Sequence, residues 1–282
     1  MNTSITNWSF HRTIAEGKMD VPKFVAEAKR LGFRAVELLS AWTSTPEQIK
    51  QAKSAASDAG LRICCYGASN DFALTGDELD KQVSDLKAKI ANAVELGAPV
   101  VRVFGGNTKE GLTVEKGLGL IVDGFRKAIK DAEDAKVTLA IENHGRLSCT
   151  SDQVGRILRE VGSPALKATF DCGNFMIGDE NPIDAVKSLA KLTGHVHVKD
   201  LRWDNVTAEP PQVYVSNAGK KLLPEVIGEG QIDFVTIFRA LREAGFRGYL
   251  SLEYEGNDPE PEGVYTSAHN LFKFAALAER AS

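Results

Sequence analysis

Ala140-Ile141-Glu142-Asn143-His144-Gly145 closes an apolar run, Val137-Thr138-Leu139-Ala140-Ile141, with a carboxylate, an amide and an imidazole in succession. A buried strand has no structural need for that ending, because each group must find a partner or lose hydration uncompensated. Three later apolar runs end alike. Asp171 closes Ala168-Thr169-Phe170, His197 sits in His195-Val196-His197-Val198-Lys199-Asp200, and Glu253 sits in Tyr249-Leu250-Ser251-Leu252-Glu253-Tyr254-Glu255.

Outward from this stretch, short apolar runs alternate with longer segments of helical period, the signature of βαβ units and a parallel sheet. The runs predict eight strands, at 4–10, 35–40, 61–68, 100–104, 137–142, 166–171, 195–199 and 249–255. Between and after them lie eight predicted helices, at 22–31, 45–60, 78–96, 114–135, 150–161, 181–192, 233–244 and 264–280. Capping residues mark their starts (Asp20, Thr45-Pro46-Glu47, Thr150, Asn181-Pro182) and glycines mark several ends (Gly32, Gly60, Gly97). One stretch, 202–231, with Pro210-Pro211, Pro224 and three glycines, reads as a long irregular loop after strand seven, of the kind used as a lid.

Eight repeats with no linker predict an α/β fold, a single (β/α)8 barrel over residues 1–282. The structural alternative is an open doubly wound sheet; no G-x-G-x-x-G opens the first helix, which weakens its nucleotide-binding form. A chain of 282 residues is long enough to bury a sizeable core. The net charge of −4 and the lack of a basic block argue against a nucleic-acid partner. No apolar run approaches the roughly 20 residues of a membrane helix, and no signal-peptide pattern opens the chain. Cys64, Cys65, Cys149 and Cys172 have no CxxC spacing, which fits a cytoplasmic protein without a disulfide framework or thiolate zinc site.

Barrels of this kind place their chemistry at the C-terminal ends of the strands. Glu142, Asp171, His197 and Glu253 fall at or near the ends of predicted strands five to eight, which are neighbours in the ring. Three carboxylates brought together resist ionisation, and a divalent cation removes the conflict. Mixed oxygen and nitrogen donors suit Mn²⁺, Mg²⁺, Co²⁺ or Zn²⁺. Taken singly, each has an ordinary explanation: a hydrogen-bonded core histidine or a solvated rim glutamate. Four on consecutive strands carry the reading.

The order Ile-Glu-Asn-His (141–144), Phe-Asp-Cys-Gly-Asn (170–174), His-Val-His-Val-Lys-Asp (195–200), Ile-Gly-Glu-Gly-Gln-Ile-Asp (227–233) and Gly-Tyr-Leu-Ser-Leu-Glu (248–253) resembles the xylose-isomerase-like TIM-barrel superfamily. Within it the chain resembles the sugar phosphate isomerase/epimerase group, which includes ketose 3-epimerases, hydroxypyruvate isomerase and inosose dehydratase. The resemblance covers nearly the whole chain. It implies one divalent metal held by Glu142, Asp171, His197 and Glu253, with Glu142 and Glu253 also exchanging protons with a carbohydrate substrate through an enediolate. It also allows a homo-oligomer.

Two departures stand out. The ketose 3-epimerases carry a histidine three residues after the metal aspartate, where this chain has Asn174. They carry a substrate-binding arginine six residues after the ligand histidine, where it has Trp203, with Arg202 beside it. A dehydratase of a keto-sugar, an inosose or dehydroshikimate on the same site is the alternative. A non-catalytic metabolite-binding barrel and the superfamily's AP endonuclease activity are more distant. Expected substrate contacts are His11, Glu37, Arg102, His144, Asn174, His195, Lys199, Arg202 and Trp203. A Glu37–Arg102 ion pair is the structural alternative for those two residues. The turn around Gly228-Glu229-Gly230 reads as structural.

Overall fold

A computed structural model describes residues 1–203 and 212–280. Its strands are β1 (Asn2–Thr6), β2 (Ala35–Leu39), β3 (Arg62–Gly67), β4 (Val100–Val103), β5 (Thr138–Glu142), β6 (Leu166–Asp171), β7 (Thr193–Val198), β8 (Asp200–Trp203), β9 (Tyr214–Val215), β10 (Lys221–Glu225) and β11 (Tyr249–Leu252). Strands β1 to β7 and β11 form a closed, all-parallel ring in the order β1-β11-β7-β6-β5-β4-β3-β2. The chain is a TIM barrel, and the open-sheet alternative is excluded by the pairing of β1 with β11.

Strand alternation divides the side chains between two layers. Leu139, Ile141, Phe170, Val196, Val198, Leu250 and Leu252 join the apolar core shared with the helices. The intervening residues of the same strands, among them Glu142, Asp171, His195, His197 and Ser251, are buried polar groups of the barrel interior. The helices begin where their caps predict. Thr45 and Thr150 each form a reciprocal capping box, with Gln48 and Gln153, and Asp20 accepts from the Lys23 amide.

Two expectations are corrected. The first strand stops at Thr6, and Asn7–Phe10 winds into a 3-10 turn. Side chains there take over the role of a strand ladder: Asn7 Oδ1 accepts from the Leu39 amide at 3.0 Å, and Ser9 Oγ donates to the Leu252 carbonyl at 3.0 Å. The stretch 202–231, read as an irregular loop, instead contributes to a small antiparallel sheet in the order β8-β10-β9. Pro224 is tolerated there because β9 pairs only with Lys221 and Leu222, so the missing amide faces no ladder on that side. Pro210-Pro211 lies outside the described residues, so a lid there is not described.

Asp200 anchors this sheet to the barrel. Its carboxylate accepts from the amides of Gly228 at 2.8 Å, Gly230 at 3.0 Å and Ile232 at 3.4 Å. A Cβ at Gly230 would stand 2.1 Å from Asp200 Oδ1, so only glycine fits. The Gly228-Glu229-Gly230 segment is therefore a structural turn.

Candidate metal centre

β5, β6, β7 and β11 are consecutive in the ring, with Asp171 directly opposite His197 and His197 opposite Ser251. One donor atom from each of Glu142, Asp171, His197 and Glu253 lies within 4.8 Å of the others, and all four residues are buried. His197 Nδ1 stands 3.4 Å from Glu253 Oε1, 3.6 Å from Glu142 Oε2 and 3.8 Å from Asp171 Oδ2.

These residues fit a divalent ion on two structural grounds. His197 Nδ1 and Asp171 Oδ2 are buried and lack a hydrogen-bond partner, although both point into the cluster. The other imidazole nitrogen, Nε2, is 3.1 Å from each Glu37 carboxylate oxygen. With its proton on Nε2, the ring presents the Nδ1 lone pair to the cluster, the carboxylate–histidine arrangement that orients metal-binding imidazoles. His195 Nε2, at 2.9 Å, and the Ser251 hydroxyl, donating at 2.9 Å, complete the surroundings of Glu37.

The electrostatics point the same way. Burial pushes the Asp171 carboxyl well above its usual range, and Glu253 and Glu142 add to this against the pull of Lys199. Burial also opposes a charge on His197, yet Glu253, Glu37 and Glu142 raise it to about 10. Glu253 is held down at about 2, against its burial, by His197 and Lys199. The three acids thus favour positive charge at the centre of the cluster.

Neighbouring side chains fix the acids. Asn143 bridges β5 to β6, accepting from the Asp171 amide at 2.8 Å and donating to the Asp171 carbonyl at 3.0 Å. Asn174 donates from its amide side chain to Glu142 Oε1 at 3.0 Å, and its backbone N–H donates to Asp171 Oδ1 at 2.7 Å. Arg102 Nε lies 3.2 Å from Glu142 Oε2, and its guanidinium covers the Phe104 ring at 4.2 Å. Lys199 Nζ donates to Glu253 Oε2 at 3.1 Å and lies 3.3 Å from both Asp171 Oδ2 and Glu255 Oε2.

A pocket of about 280 Å³ opens onto this cluster, lined in part by Trp8, Arg102, Phe104, Glu142, His144, Lys199, Glu253 and Glu255. Of the expected substrate contacts, it brings together Arg102, His144 and Lys199, with Asn174 bonded to the wall at Glu142. His144 packs its ring 4.7 Å from Phe104. Glu37 and His195 lie in the fully buried interior, where Glu37 bonds both His195 and His197; the alternative Glu37–Arg102 pair does not form, because Arg102 goes to Glu142. His11 stacks on Trp8 at 4.6 Å and is absent from the pocket lining. Trp203 lines a separate cavity beside Met176 and Ile232, and Arg202 pairs with Glu225 across the small sheet at 2.9 Å.

Sequence reasoning left Glu255 without a role. It is buried, accepts from Trp8 Nε1 at 2.5 Å and from the Tyr214 hydroxyl, and faces Lys199. The signal was its place two residues beyond Glu253, in the run 249–255 that the sequence presents as one strand.

A family model described as xylose isomerase-like TIM barrel matches residues 25–274. The chain belongs to this family. Among curated family relatives, it is 26% identical to an inosose dehydratase of Geobacillus thermodenitrificans over 281 residues, 94% of this chain and 89% of that one. Against several clostridial inosose dehydratases, the match spans only about half of the relative's length. Among solved structures, the D-psicose 3-epimerase of Clostridium cellulolyticum superposes with a TM-score of 0.76 at 15% identity over 100% of both chains. A probable 3-DHS dehydratase of Bacillus anthracis does so with a TM-score of 0.75 at 19% identity, also over 100% of both chains. These two likenesses concern the fold. Among the described residues, no helix is long and apolar enough to cross a membrane.

Proposed function

We propose that this chain is a divalent-metal-dependent isomerase or epimerase of a polyhydroxy carbonyl compound, moving protons through an enediolate. The observation that carries the reading is the placement of two glutamates. Glu142 ends β5 and Glu253 follows β11, the strands that flank the Asp171–His197 pair; both line one pocket, Arg102 pairs with the first and Lys199 with the second.

A metal held by Glu142, Asp171, His197 and Glu253 would supply Lewis acidity toward a carbonyl and its neighbouring hydroxyl. The remaining work falls to the chain. One glutamate, ionised, removes the proton α to the carbonyl; the other, entering protonated, gives its proton to the enediolate from the far side, so the two end with their protonation states exchanged. His197 and Lys199 hold Glu253 in its ionised form. Glu37 keeps the His197 ring in one orientation, and Asn174 does the same for Glu142.

A second reading has its own support: the near-full-length likeness to an inosose dehydratase, and Asn174 where the ketose 3-epimerases have histidine. In it the same proton is abstracted, the enolate electron pair forms a C=C bond, and the β C–O bond breaks. The departing hydroxyl takes a proton and leaves as water.

The test is incubation of the Mn²⁺-loaded protein in D₂O with ketoses, keto-inositols, 3-keto-glycosides and dehydroshikimate, read by mass spectrometry. Deuterium gain without loss of water supports the isomerase reading. Loss of one water moves the enzyme to the lyases. Absence of both overturns the enolisation mechanism.

A further inference from the structure

The pocket's charge pattern carries a conclusion about the substrate. An enzyme that selects a phosphorylated or carboxylated sugar needs a cation left available for the anion, because a buried anion without a partner is costly. Among the described residues lining the pocket, the cations are Arg102 and Lys199. Arg102 is paired with Glu142. Lys199 lies among three carboxylates, Glu253, Asp171 and Glu255. The stretch 204–211 contains neither lysine nor arginine, so it brings no further cation.

The balance stays unfavourable to an anion when a metal is bound. Glu142, Asp171, Glu253 and Glu255 offset Arg102, Lys199 and one divalent ion together, so no positive charge is left over. Glu255 decides the outcome. It is not one of the four clustered donors, yet it takes part of the Lys199 charge and is fixed by Trp8 and Tyr214. Trp8 lines the same pocket, and the glutamate itself can accept from hydroxyls, a pairing that suits a neutral polyol.

Resting on the enolisation reading above, we propose that this site takes uncharged polyhydroxy ketones and excludes their phosphorylated or carboxylated counterparts, with Glu255 enforcing the exclusion by occupying Lys199. The shared reaction chemistry would admit both classes; the fixed charges admit one.

The experiment pairs neutral and anionic probes on the Mn²⁺-loaded protein: D-fructose with D-fructose 6-phosphate, and an inosose with dehydroshikimate. Binding is read by calorimetry and proton exchange by deuterium uptake. The expected result is that each neutral probe binds at least about tenfold more tightly than its charged partner, and that Glu255→Gln narrows this gap by about tenfold. Tighter binding of the anionic members to the unaltered protein overturns the proposal and leaves enolisation standing. Preferential binding of neutral probes without deuterium uptake upholds the charge argument and removes the enolisation mechanism. A gap unchanged in Glu255→Gln removes the assigned role of that residue.

Discussion

Glu142 and Glu253 are the residues on which turnover should depend. Replacing Glu142 with Gln preserves size and keeps an acceptor for Asn174, but removes one of the two proton-exchanging carboxyl groups and leaves Arg102 without its charge partner. We expect the fold to persist and exchange to fall by about 10²–10⁴-fold, the usual worth of a positioned acid–base group. Circular dichroism with deuterium-uptake rates checks both halves, and normal turnover would remove Glu142 from the mechanism. Glu37 is the residue that orients the candidate ligand His197. Glu37→Gln offers an amide where two imidazole nitrogens and a hydroxyl now meet a carboxylate. We expect metal affinity to drop by about 10–100-fold, as for other partners of metal-binding imidazoles, read by titration with Mn²⁺. At this scale, the sequence revealed strand-end acids because they interrupt apolar runs. It did not reveal who pairs with whom. Glu37 and His197 are 160 residues apart, and whether Glu37 faces Arg102 or the histidines depends on where the ring closes.

At the scale of elements, six of the eight barrel strands were legible to within a residue or two at each end, because both faces of a parallel strand read as apolar or small. The misread elements were those governed by local side-chain bonds or by tertiary pairing. The turn at Asn7–Phe10 is stabilised by Asn7 and Ser9, and the sheet of β8, β9 and β10 pairs segments of two to five residues, too short to show a period. Asp200 joins that sheet to the barrel and gives a pH prediction. Burial pushes its carboxyl up to about 6, against the amides of Gly228, Gly230 and Ile232, which favour the ionised form. A folded value above the unfolded value of about 3.9 means that the fold favours the protonated acid. This contribution is complete below the unfolded value and is lost as pH rises through about 6. Asp200→Asn removes the titration. The melting temperature of the variant, relative to the unaltered protein, should therefore rise between about pH 4 and about pH 7, by an amount worth up to roughly 3 kcal/mol. A difference that fell as pH rose would show that the three amides, rather than burial, set the state of Asp200.

At the scale of the whole molecule, the site and the closure of the barrel are one structure. The Glu37–His197 and Glu37–His195 bonds cross the interior from β2 to β7, and the four clustered donors span β5 to β11. Without a cation, the folded chain holds three buried carboxylates around one imidazole, a desolvation cost that unfolding relieves. An ion that binds only the folded chain stabilises it by about 2.7 kcal/mol when present at a hundredfold excess over its dissociation constant. Because the ligands come from four consecutive strands and Glu37 ties His197 across the barrel to β2, this gain should raise the main unfolding transition rather than order a single loop. We expect chelator-stripped protein to melt several degrees below the Mn²⁺-loaded form. Asp171→Asn should melt at nearly the same temperature with and without the ion, since the variant loses one donor and much of the central negative charge. Asp233→Asn, which alters only the cap of the Phe234–Glu243 helix, should keep the full response to Mn²⁺. If stripped and loaded protein melted together, or if Asp171→Asn gained as much as the unaltered chain, the cluster would be a buried ion network, and catalysis would have to be sought without a metal.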